Sequence, residues 1–143
     1  MVGVWALVAS VVVVAVVGIT RHLRDGRVRT RDEEDVVELP EPVRALLDPT
    51  TPVTLVQLST TFCAPCRHTR VVLADLAART EGLRHVELDV TNLPDVVAGM
   101  GVRRAPTTVA LDVRGTELLR VSGVPKRDAL LTALRPFLPV PNG

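Results

Sequence analysis

A strand that hands over to a helix through a pair of cysteines limits the folds open to this chain more than any other feature. Residues 53–58 are apolar apart from Gln57 and read as a buried strand; across residues 67–79, Val71, Val72, Ala74, Leu76, Ala77 and Ala78 recur at helical spacing instead. Between them stands Phe62-Cys63-Ala64-Pro65-Cys66, which holds both cysteines of the 143 residues. Cys63 is therefore expected at, or just before, the first turn of that helix. Unpaired amides and the positive end of the helix dipole stabilise an anion at such a place. A Cys63 thiolate should be favoured there and reactive near neutral pH. Pro65 fits because a first-turn proline sacrifices no helical hydrogen bond. Cys66, one turn further on, is close enough to Cys63 to form a disulfide and is shielded by the helix.

Such a pair suits thiol–disulfide exchange, with Cys63 as nucleophile and Cys66 as the resolving thiol. Two buried structural cysteines, or half of a zinc site, are the alternatives. A zinc site needs about four ligands, and His22, His68 and His85 are not spaced to complete one, so no metal is expected. His68, two residues past Cys66, is expected to face solvent. Two cysteines are too few for the disulfide framework of a small secreted scaffold. A net charge of +1 gives no reason to expect nucleic acid or an acidic substrate. Lys126 is the one lysine among many arginines, which fits a GC-rich genome.

The segment Thr54-Leu55-Val56-Gln57-Leu58-Ser59-Thr60-Thr61-Phe62-Cys63-Ala64-Pro65-Cys66 resembles the active-site segment of the thioredoxin family, usually written W-C-G-P-C. A second piece, Gly101-Val102-Arg103-Arg104-Ala105-Pro106-Thr107-Thr108, resembles the family's cis-proline segment and lies about forty residues after the motif, as that family's order requires. The resemblance runs over residues 36–138 and implies an α/β fold of three layers, a central mixed sheet flanked by helices. It implies a cis bond before Pro106, with Ala105 offering its backbone to a substrate as an added strand. Phe62, Ala64, Pro65 and Thr107 are implied as supporting residues, and Gly115 and Gly123 as a hairpin turn and a last-strand glycine. Phe62 stands where the family has tryptophan, and Gln57 where it often buries an acid. Glu87 aligns with the family's partner lysine. It is read either as the proton acceptor for Cys66 or as a residue pointing to solvent.

Ahead of this domain, residues 2–20 carry no charge. About eighteen helical residues reach ~27 Å, close to the ~30 Å hydrocarbon core. No basic residue precedes the run and no small-x-small site ends it, so a retained anchor is favoured over a cleaved signal. Arg21, Arg24, Arg27, Arg29 and Arg31 crowd its C-terminal flank, which by the positive-inside bias puts the rest of the chain in the cytoplasm. The expected organisation is an anchor over residues 1–20, a charged linker over 21–35, the domain over 36–139 and a tail over 140–143. Within the domain the patterns predict a first strand at 36–39, a short helix at 41–47 and strands at 53–58 and 83–90. A helix at 93–99 capped by Asn92, strands at 107–112 and 117–121, and an amphipathic helix at 126–138 with Phe137 on its buried face complete the set.

The functional expectation is a single-pass membrane protein that reduces protein disulfides through Cys63 and Cys66, because Ala64-Pro65 is close to the Gly-Pro of reducing members. No cofactor is needed, since the cysteines carry the two electrons. A flavin reductase or another dithiol would re-reduce it, and it would act as a monomer. An extracytoplasmic oxidant or cytochrome-maturation partner is the alternative within the chemistry. A non-catalytic adaptor using the Pro106 groove is the alternative outside it.

Overall fold

The computed structural model describes residues 1–24, 26–30 and 38–140. Helix α1 (Val2–Arg24) is long and apolar enough to cross a membrane, with a mean hydropathy of 2.7, and none of its side chains is buried. Ser10 and Thr20 return their hydroxyls to backbone carbonyls one turn back, Ala6 and Val16, so these two hydroxyls are satisfied within the helix.

Strand β1 (Val28–Thr30) follows, inside the stretch expected to be linker. It is too short and too rich in arginine to show a period. Of the strand expected at 36–39, Val36 and Val37 lie outside the described residues, and Glu38 and Leu39 are not in a strand. Helix α2 (Glu41–Arg44), β2 (Val53–Ser59), α3 (Ala64–Ala78), β3 (Leu83–Asp89) and α4 (Pro94–Gly99) come next. Then β4 (Thr107–Asp112), β5 (Glu117–Ser122) and α5 (Arg127–Leu134) complete the fold. The sheet order is β1-β5-β4-β2-β3, with β2 and β3 parallel and every other pair antiparallel.

Strand β2 is buried along all seven residues, which explains its nearly continuous apolar run. Its residues alternate between two cores. Val53 and Leu55 meet Leu73 and Leu76 of α3 and Leu130 and Leu134 of α5. Val56 and Leu58 face the other way, toward Val43 of α2 and Val96 of α4. Gln57 falls on the α3 side in this alternation, an amide inside an apolar layer.

Two expectations need correcting. Asn92 does not cap α4: Leu93 is the N-cap residue, with no side-chain cap, and Pro94 begins the helix without losing a bond. The last helix stops at Leu134 and tightens into a 3-10 turn, Arg135–Phe137, because Pro136 cannot supply the next helical N–H. Phe137 is consequently 39% exposed instead of packed in the core.

Candidate active site at the end of the central strand

The chain leaves β2 at Ser59, crosses four residues and enters α3 with Cys63 as its N-cap. Cys63 Sγ accepts a hydrogen bond from the Cys66 amide at 3.2 Å. It thus satisfies one of the amides left open at the helix start. Pro65 lies in the first turn, as its chemistry requires. The two cysteines are joined by a disulfide, S–S 2.10 Å. Cys63 is partly exposed and Cys66 only 2% exposed. Only the first sulfur is therefore open to a substrate.

The Ala105–Pro106 bond is cis. The register Leu58↔Thr107 puts Pro106 beside the end of β2, next to the loop that carries Cys63. Two bonds hold this corner: Thr107 Oγ1 donates to Arg104 O at 2.7 Å, and the Gly123 amide donates to Pro106 O at 2.8 Å. Gly123 lies just past β5 with φ 84° and Gly115 in the β4–β5 turn with φ 85°, a conformation that favours glycine. Ala64 and Phe62 flank the cysteines on the outside. Phe62 is fully exposed, at 102%, and has φ 61°. An apolar groove of about 530 Å³ runs alongside, walled by Val90, Pro94, Val97 and Val102 and rimmed by Thr60 and Arg103.

Behind the disulfide, Gln57 makes three contacts. Its Nε2 donates to Cys66 O at 2.8 Å and to Ser59 Oγ at 3.1 Å, while its Oε1 lies 3.0 Å from His85 Nε2. With the amide so oriented, Oε1 accepts, and His85 must carry its proton on Nε2. His85 is partly buried on β3, and burial lowers its pKa from the ordinary value of 6.5, with Glu87 acting in the opposite direction and Arg70 adding slightly. The link from Cys66 through Gln57 to His85 was missing from the sequence reading. Its only trace is the two-residue spacing His85-x-Glu87, which gains meaning once β3 is known to pair Leu55↔His85 and Gln57↔Glu87.

Glu87 does lie beside Gln57, as its alignment suggested, and is not directed simply to solvent. Its carboxylate is engaged by Arg70 of α3 through both oxygens, one of them 2.9 Å from Nη2. Arg70 holds it below the usual carboxylate range, against the effect of partial burial, and the Ser59 hydroxyl adds to the lowering. A carboxylate so held is a weaker base than a free one. His68 is exposed, as expected, and takes no part. Two hydroxyls, Thr69 Oγ1 on α3 and Thr108 Oγ1 on β4, are buried without a hydrogen-bond partner among the described residues. No cluster of metal-binding side chains occurs among the described residues.

The comparisons with known proteins agree with this geometry. The sequence model of the family Thioredoxin matches residues 43–136. Thioredoxin H2 of Arabidopsis thaliana is 36% identical over 76 residues, covering 53% of this chain and 56% of its own length. Thioredoxin H-type 1 of Nicotiana tabacum is 31% identical over 85 residues, covering 59% and 67% respectively. This chain thus spans little more than half of the Arabidopsis relative. Among solved structures, a mutant thioredoxin from Halobacterium salinarum superposes with a TM-score of 0.56 at 26% identity, over 63% of this chain and 78% of that one. Thioredoxin NaTrxh from Nicotiana alata gives 0.55 at 29% identity, over 62% and 76%. With the motif, the cis-proline and the mixed sheet in their family order, the chain belongs to the thioredoxin family.

Proposed function

We propose that this chain is a membrane-anchored thiol–disulfide oxidoreductase that reduces disulfides in protein substrates. The observation that carries the reading is the Cys63–Cys66 pair at the start of α3, one sulfur open and the other covered, beside the cis Ala105–Pro106 bond. In the reduced chain the Cys63 thiolate attacks one sulfur of a substrate disulfide. A Cys63–substrate bond forms, the substrate bond breaks, and its other sulfur leaves as a thiolate. Cys66 then attacks Cys63, freeing the second substrate sulfur. Two electrons pass to the substrate, the two thiol protons end on its sulfurs directly or through water, and the Cys63–Cys66 disulfide remains. A dithiol or flavin reductase returns it to the reduced state. Ala105 offers its backbone to an extended substrate segment, and the exposed Phe62 ring stands next to Cys63, where a bound substrate would meet it.

The reductive direction is supported by Ala64-Pro65 between the cysteines, which lacks the charged or histidine-containing pairs of oxidants. The anchor reading is supported by the length and hydropathy of α1. The cytoplasmic placement of the domain is supported by the arginines on its C-terminal flank. Wild type is expected to turn over insulin disulfides and Cys63→Ser to be inactive; equal rates in the two would sink the catalytic reading. A membrane-impermeant maleimide applied to intact cells tests the side. Protection until lysis, then labelling without reductant, is the expected result, and labelling from outside overturns the topology.

A further inference from the structure

The anchor joins the domain at the same end of the sheet as the active site. Strand β1 is antiparallel to β5, β5 to β4, and β4 to β2, so β1 begins where β2 ends. The registers Val28↔Val121, Thr108↔Val121 and Gln57↔Thr108 set Val28, Val121, Thr108 and Gln57 in one row across the sheet. Just outside this row, the Gly26 amide donates to Ser122 O at 2.9 Å, and the next residue, Gly123, donates to Pro106 O. Gly26 is buried with φ 74°, and a Cβ on it would come within 2.5 Å of Val124 O, so the chain is seated there and not merely passing.

Helix α1 ends at Arg24. Two peptide links, at most about 7 Å, therefore separate the end of the anchor from Gly26. From Gly26 to the end of β2 is three strand spacings, about 14 Å. As a 23-residue helix α1 measures about 34 Å, so its last turn stands in the head-group layer. The disulfide is then held within roughly 25 Å of that layer. The β4–β5 turn at Arg114 lies about 20 Å farther along the strands, at the opposite end.

What this end carries fits a bilayer surface. Arg24, Arg27, Arg67, Arg103, Arg104 and Lys126 are exposed on or near it, and basic side chains are drawn to anionic head groups. Phe62 stands out fully exposed among them, and aromatic rings favour the interface. Among the described residues, the exposed acids near this end are Asp89 and Asp95, on the β3 and α4 side away from the anchor, and Asp128 in the first turn of α5.

We propose that the anchored domain is held with Cys63 turned toward the bilayer, and that its substrates are disulfides of integral-membrane proteins carried at the depth of the head groups. This rests on the anchored redox reading above, is independent of the side on which the domain lies, and uses the same exchange step.

The full chain in liposomes tests it. A fluorophore is placed on Cys63 in Cys66→Ser, or on a cysteine introduced by Arg114→Cys in a Cys63→Ser, Cys66→Ser background. Energy transfer to acceptor-labelled lipid is expected to be several-fold stronger from position 63, and equal or reversed transfer overturns the proposal. In a second arm, the pre-reduced wild-type chain meets a transmembrane peptide with a disulfide-closed loop next to its span, or the same loop on a helical stalk about 40 Å long. Reduction of the near loop is expected to be at least about tenfold faster, because only it can meet Cys63 while both chains are anchored. Equal rates with insulin still turned over in detergent would remove this inference alone. Loss of insulin turnover would remove the redox reading, and failure of the chain to float with liposomes the anchor, and this proposal falls with either.

Discussion

Phe62 combines a left-handed backbone with complete exposure, a pairing that costs stability and adds no packing. A bulky residue at such a φ costs on the order of 1–3 kcal/mol, so function has to justify it. Phe62→Gly is expected to raise unfolding stability by about 1 kcal/mol while slowing reduction of protein substrates, as urea titration and turnover assays would show. An unchanged turnover would leave the ring without a role at the site. Behind the disulfide, His85 sets a pH dependence. Burial favours its neutral form, so the unfolded imidazole, near its ordinary 6.5, takes up a proton before the folded one as pH falls. Stability from this group is complete above about pH 6.5 and declines as pH falls from there toward the folded value. Glu87 and Asp75, both lowered by arginine partners, lose their contributions only further down, below their ordinary 4.5 and 3.8. Urea unfolding between neutral pH and the carboxylate range should show the His85 slope in wild type and not in His85→Gln, which keeps a donor for Gln57 but cannot titrate. The same slope in both would refute the assignment.

The layer between α3 and the sheet is where individual elements meet. Here the buried Thr108 hydroxyl has no hydrogen-bond partner among the described residues. Removing an unsatisfied buried hydroxyl while keeping the shape is favourable, so Thr108→Val is expected to stabilise the domain by up to about 1 kcal/mol. Leu76→Ala on the facing helix empties fully packed space instead and should cost about 2–5 kcal/mol; thermal or urea unfolding reads both. Which elements were legible in the sequence follows from their physics. Strand β2 and helix α3 were, because the hydrophobic period changes abruptly across the cysteines, and β4 was, because its bounds follow directly from Pro106. Strand β1 was not: three residues held by pairing to β5 carry no pattern of their own. The contact of Gln57 with His85 was equally hidden, since it depends on the parallel register of two strands separated by a helix. Pro136 announced the end of α5, yet the amphipathic pattern that continues through Phe137 masked it.

At the scale of the whole molecule, the described chain divides into a helix with no buried side chain and a sheet domain with two cores. Removing residues 1–24 is therefore expected to leave unfolding stability and insulin turnover unchanged. Removing 1–30 also strips β1 from β5 and takes away Val28, which packs on the core around Val121. A loss of roughly 1–3 kcal/mol is expected, measured by urea unfolding of the two soluble forms, and equal stabilities would mean that β1 contributes nothing. The joint between these parts is only two links long, from Arg24 to Gly26. If α1 spans a bilayer as proposed, such a tether does not let the domain sample a volume of solution; it confines its search to a plane. On the proposed anchorage, encounter rates would then scale with the surface density and lateral diffusion of the partner, so that a thin population of substrate gathered in the same patch of bilayer outcompetes a plentiful one in solution.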